Sequence, residues 1–218
     1  MNRITQLAFI TLVFSGCSSG KLSELTEICI CEVTEHYVTS TDELENRTKE
    51  LSFINSPVFE LGVSKSDFAT SAAILFNRKT ELDSGSILQV NLVEEVGTNN
   101  RTTSYEFELD EIDSATPPYL ETLELINSFV KNIYENNIDV CQNHLAQEIE
   151  EERLSSILAN VRNDLEEGYL NTKIVGYRKN NELTEIYGGV WTENETLDLF
   201  RMTLNDTEDG QKILSFEF

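Results

Sequence analysis

Apolar and polar positions alternate along much of the first half of the chain. Phe59, Leu61 and Val63 fall on one face of a two-residue rhythm, as do Leu88, Val90 and Leu92, and then Tyr105, Phe107 and Leu109. Such alternation predicts half-buried strands. The runs Ile28 to Val38 and Phe68 to Phe76 read as two further strands, and Gly97-Thr98-Asn99-Asn100 as a hairpin turn. The acidic stretch Thr39 to Glu50 reads as the longest loop. Strands with no helix between them predict an antiparallel β domain, sandwich-like, over residues 22–113.

The rhythm changes at Thr116-Pro117-Pro118, where two prolines interrupt helix and sheet alike and suit the start of a helix. The expected domain boundary lies there. Beyond it Leu120, Leu123, Val130, Ile133 and Tyr134 repeat at helical spacing, and Asn136-Asn137 ends that helix. A short helix carries Val140, Cys141, His144 and Leu145. A third runs from about Glu150 to Glu167, with Gly168 as its C-cap. Four strands follow, Leu170 to Tyr177, Thr184 to Thr192, Thr196 to Asn205 and Lys212 to Phe218, with turn signals at Asn180-Asn181 and Asp209-Gly210. The whole is an α+β chain.

Three helices followed by a meander of long strands is similar, over residues 117–218, to the cone-shaped α+β fold of the ketosteroid-isomerase and nuclear-transport-factor superfamily. That resemblance implies a curved antiparallel sheet wrapped around a long helix, with an apolar pocket at the open end. It implies a candidate pocket lined by Tyr134, Asp139, Cys141 and His144 from the helices and by Tyr187, Trp191, Phe200 and Met202 from the sheet. An enzyme of that kind needs a carboxylate or histidine with a shifted pKa and a hydroxyl to support an oxyanion. Asp139, His144 and Tyr134 have the side chains for those roles, but no spacing here is diagnostic. Gly188-Gly189 breaks an otherwise regular strand and reads as the bend such a sheet requires.

The chain opens with Met1-Asn2-Arg3, an apolar run from Ile4 to Phe14, then Ser15-Gly16-Cys17. A charged start, a short apolar core and small residues at a cleavage site make a secretory signal over residues 1–16. The apolar core is shorter than the roughly 20 residues a membrane span needs. Val13-Phe14-Ser15-Gly16-Cys17 resembles the bacterial lipobox, with Phe14 where Leu is usual. The resemblance implies cleavage before Cys17, acylation of its thiol, residues 17–21 as a tether, and a protein held at the bacterial cell envelope. Gly16-Cys17-Ser18-Ser19-Gly20 matches a hydrolase nucleophile elbow on paper, but that motif requires a strand before it and a helix after it.

The formal net charge is -23. A surface of that sign repels phosphate, so nucleic acid is not an expected partner. After Cys17 there remain Cys29, Cys31 and Cys141. Two readings stand: three small buried hydrophobes, or a bridge from Cys29 or Cys31 to Cys141, which export permits. Only two histidines are present, which excludes a histidine-rich metal site. Asn205 to Gly210 has the look of a calcium loop, but the twelfth position holds Phe216 where a Glu is needed. No dinucleotide fingerprint, P-loop or metalloprotease motif occurs, and no cofactor or metal is expected. The expected function is a lipid-anchored, non-catalytic binding or interaction module, whose partner is a protein or a small apolar ligand. The alternative is an isomerase- or hydratase-type enzyme in the cone.

Overall fold

The computed structural model describes residues 20, 22–39, 47–80, 82–83, 85–97, 99–165, 168–193, 197–208 and 210–218. The expected signal sequence, Cys17 and most of the expected tether lie outside them, as do the centre of the acidic stretch, Thr98 and Asp209. Among the described residues the fold is mixed α+β, with two four-stranded sheets and five α-helices. In chain order these are α1 (Ser23–Cys29), β1 (Glu32–Thr39), β2 (Arg47–Ile54), α2 (Lys65–Thr80), β3 (Ile87–Val96) and β4 (Asn99–Glu108). There follow α3 (Leu109–Tyr134), α4 (Ile138–His144), α5 (Glu151–Asp164), β5 (Tyr169–Asn180), β6 (Leu183–Thr192), β7 (Leu197–Thr207) and β8 (Gly210–Glu217).

The first sheet has the order β1-β2-β3-β4, and its central pair β2/β3 is parallel. Parallel neighbours need a crossover, and α2 supplies it. The expected all-antiparallel β domain is therefore corrected in three places. Phe68 to Phe76 is helix, inside α2. Ile28 and Cys29 end α1, so that strand begins only at Glu32. Phe59 closes a 3-10 turn, Pro57–Phe59, and Leu61 stands 63% exposed. The cause is the same for α2 as for any helix enclosed on every side. Asp67, Phe68, Ala69 and Ser71 to Phe76 are all buried, so no amphipathic rhythm remains to be read.

The second sheet, β5-β6-β7-β8, is an antiparallel meander and matches the four expected strands. α3 lies across one face of it. It packs on β5 and β8, where Tyr119 meets Tyr177 and Phe129 meets Phe216, and Ile126, Phe129, Val130 and Ile133 of α3 are buried in the same core as Ile186, Phe200, Met202, Leu204 and Ile213. α2 packs against β5, and Val63 and Asp67 approach Gly176 on the sheet's opposite side. One continuous core thus includes residues from both halves.

The boundary expected at Thr116-Pro117-Pro118 falls inside α3, which starts in a capping box between Glu108 and Glu111. A proline removes an intrahelical N–H. Side-chain hydroxyls are active around this point: Thr116 Oγ1 donates to the Ile112 carbonyl at 2.7 Å. Gly168 is not the cap of α5 either. That helix closes on Leu165, and Gly168 takes φ 89° where the chain enters β5.

Cys29 and Cys31 are joined to each other, with Cα atoms 5.1 Å apart, while Cys141 is a free, buried thiol. The readings that paired Cys141 with a partner, or left all three unpaired, are both corrected. A bridge that closes so short a loop constrains the unfolded chain by only about 1.6 kcal/mol in the chain-entropy model. Its effect on the fold is local.

Candidate functional site

Four of the eight candidate pocket residues lie either on the helix-facing side of the second sheet or on α4 beside it. Phe200 and Met202 are inward on β7, opposite Gly188 and Ile186 of β6. Phe200 stacks on Phe218, with ring centroids 5.0 Å apart. α4 adds Cys141 and His144 at the far end of α3. The Cys141 thiol is completely buried, and burial pushes its pKa up to about 11. His144 Nε2 is 2.9 Å from Ser128 Oγ, and its ring meets the edge of Phe129. Burial first, then the neighbouring charge of Lys212, holds His144 below the usual imidazole value. These groups are packed rather than poised: a neutral histidine tied to a serine and a thiol kept protonated.

The other four lie elsewhere. Tyr187 and Trp191 alternate with Ile186 and Val190, so they point to the opposite side of the sheet. Tyr187 lies under the Arg201 guanidinium, 5.5 Å from the ring centroid, and the Trp191 Nε1 is buried without a partner. Tyr134 ends α3 and tilts against Tyr169. Asp139 is exposed on α4 and lines a surface cleft of about 420 Å³ with Glu148, Glu150 and Glu151 over Ile149 and Leu154. The candidate set is therefore split by the sheet and by the ends of the helices.

The bend expected at Gly188-Gly189 is not there: β6 runs through both glycines in unbroken register with β7, and what the glycines provide is space. A β-carbon there would sit within the Phe200 ring, and one on Gly189 would collide with Leu197. The strand irregularity is on the partner, between Ile174 and Gly176 of β5. The glycines make room for side chains from β7 while β5 supplies the bulge.

A polar seam within the same half escaped the sequence reading. Thr122 of α3, Tyr177 of β5 and Thr184 of β6 are buried together with Gln211 of β8 at their edge. Thr122 Oγ1 is 2.8 Å from Gln211 Oε1, and Gln211 Nε2 donates to Asp206 Oδ1 at 3.0 Å. Burial would raise the Asp206 pKa, but hydrogen bonds from Lys179 and Gln211 outweigh it and leave the carboxyl lowered. The Tyr177 phenol is pushed up to about 12, by burial first and then by Asp206. Its oxygen has no hydrogen bond of normal geometry, although the Thr122 and Thr184 hydroxyls stand near it. The signal was present: Thr184 continues the inward row of Ile186 and Val190, where a polar residue is unusual.

A smaller cleft of about 200 Å³ lies where both halves meet, between Glu24, Leu75, Tyr119, Asn127 and residues 171–174. Asn127 Oδ1 accepts from the Thr172 N–H at 3.2 Å and so fixes the start of β5. Among the described residues, no group of three or more His, Cys, Asp or Glu side chains is placed to hold a metal ion, and no helix is long and apolar enough to cross a membrane.

No family model matches the chain, and no curated protein matches it. Among solved structures, a protein described as an NTF2-like transpeptidase from Campylobacter jejuni matches 42% of this chain and 95% of its own, at 16% identity and a TM-score of 0.37.

Proposed function

We propose that this protein is exported from a bacterial cell, held at the envelope through a lipid on Cys17, and acts there as a non-catalytic binding or interaction module. The observation that carries the non-catalytic part is the state of the groups a cone enzyme would use. Cys141 is buried and protonated, His144 is tied to Ser128 and sits below its usual pKa, Phe200 is buried and stacked on Phe218, and Met202 is buried. The Cys29–Cys31 bridge supports export, because disulfides persist in oxidising compartments.

A second reading has one observation in its favour. The buried Tyr177 hydroxyl near Asp206 has the parts of an acid–base pair of the isomerase or hydratase kind. Asp206, however, already shares its charge with Lys179 at 2.5 Å.

Cross-linking in intact cells separates the two readings. The binding module gives a defined cross-linked complex that survives in Tyr177→Phe and His144→Gln variants. Loss of that complex in either variant, with the protein still folded, would return the function to the cone.

A further inference from the structure

Ile30 stands between the two bridged cysteines with φ 51° and ψ 40°, in the left-handed region. A β-branched residue is strained there, and glycine or asparagine is the ordinary choice. Burial does not explain the choice of isoleucine, because its side chain is 40% exposed. Three contacts hold the conformation. The Ile30 N–H donates to the Thr26 carbonyl at 2.9 Å and closes α1. Ser56 Oγ, itself buried, donates to the Cys29 carbonyl at 2.6 Å. The disulfide spans Ile30 covalently.

This strained point also joins α1 to β1. Leu25 and Ile28 bury that helix against the body. Glu27 pairs with Lys173 of β5, and Glu24 lies 3.6 Å from Lys79 of α2. α1 therefore touches both halves, and it is the first helix after the tether. So short a loop does little to restrain the unfolded chain, whereas strained backbone that the surroundings must enforce points to a switch.

We propose that the Cys29–Cys31 disulfide is a redox-sensitive clasp that sets how firmly α1 is docked. The reductant is a dithiol. Both cysteines are buried, Cys29 at 0% and Cys31 at 5% exposure, so attack follows fraying of α1. One thiolate of the dithiol attacks Cys31 Sγ, the S–S bond breaks, and Cys29 leaves as a thiolate that takes up a proton. The second sulfur of the dithiol then displaces Cys31, which is protonated in turn, and the dithiol ends as a disulfide. Two electrons and two protons have passed to the protein. Ile30 is then free to leave the left-handed region, and the C-terminal end of α1 loses its lock. The clasp is independent of whether Cys17 carries a lipid.

Hydrogen exchange followed by mass spectrometry tests this on the full protein, before and after a dithiol. Exchange in residues 22–31 should quicken about tenfold on reduction, while residues 65–80 and 183–192 stay within about twofold. A Cys29→Ser, Cys31→Ser double variant should behave as the reduced protein does. Ile30→Gly, which removes the strain, should shrink the difference between oxidised and reduced protein to less than about threefold. The proposal is overturned by a disulfide that resists the dithiol in the folded protein, by unchanged exchange in residues 22–31 once the thiols are free, by equal quickening in α2, or by an Ile30→Gly protein that responds as fully as the parent.

Discussion

Replacing Gly188 by Ala asks whether the second sheet is shaped as described. Three atoms of the Phe200 ring would lie within 3.0 Å of the added β-carbon, closer than real side chains approach. The nearest ring atom would stand 2.0 Å away and must retreat by about 1.4 Å to reach ordinary contact at 3.4 Å. It has little room to do so: Phe200 is 3% exposed and stacked on Phe218, which meets Phe216 in turn. Forcing a methyl into a filled site costs about 1–3 kcal/mol. Backbone strain adds nothing, since Gly188 does not have a positive φ. Losing glycine's freedom in the unfolded chain returns only about 0.4–1 kcal/mol. Gly188→Ala should therefore destabilise by about 1–2 kcal/mol in urea unfolding, with an unchanged m-value. In a Phe200→Leu background the same substitution should cost less than about 0.5 kcal/mol, and the difference is the coupling between the two positions. If Gly188→Ala is neutral or stabilising with Phe200 in place, the glycine does not make room for the ring and the reasoning fails.

The lowered pKa of His144 makes the folded state the weaker proton binder there, so stability is at its full value above the unfolded value of 6.5 and is lost as pH falls from there through the lower folded value. His144→Gln should flatten the stability curve between about pH 7 and 5; an unchanged curve means that His144 is not held neutral by burial. Tyr177→Phe removes a buried hydroxyl that has no partner, and should be neutral or stabilising by about 1 kcal/mol in the same assay, whereas a loss above that size would show the hydroxyl to be bonded. A fragment of residues 117–218 begins inside α3 and lacks the α2 cover over β5, so it should fail to fold alone. A soluble fragment with cooperative unfolding would restore the domain boundary at Thr116.

The second half was readable because each of its elements is half-exposed. β6 alternates along Thr184, Ile186, Gly188 and Val190, and α3 buries Ile126, Phe129, Val130 and Ile133 at helical spacing. The first half was misread where exposure vanishes. α2 is covered by both sheets, and Phe68 to Phe76 carries neither a period of two nor one of 3.6 that binary patterning could detect. Its length and its alanines at 69, 72 and 73 were the remaining signal. Pro117 and Pro118 misled because proline is a local marker, while α3 is held by contacts on both sides of them. The site was only partly legible for a related reason. Alternation assigns Tyr187 and Trp191 to the same strand as Ile186 but not to the same face, and that decides which residues can meet. The Cys29–Cys31 bridge was hidden by reading both cysteines as strand residues, when a helix end at Cys29 turns the chain back through Ile30.

Attachment at Cys17 is the claim on which the proposed place of work depends, and one experiment reaches it directly. The intact protein and a Cys17→Ser variant are expressed in a bacterial cell supplied with labelled fatty acid, and each is followed through membrane fractionation. The account predicts label in the intact protein, recovered in the membrane fraction at the length expected for cleavage before residue 17, and no label in the variant, which should be unprocessed or freely soluble. A Cys17→Ser protein of mature length that still sediments with membranes would contradict it.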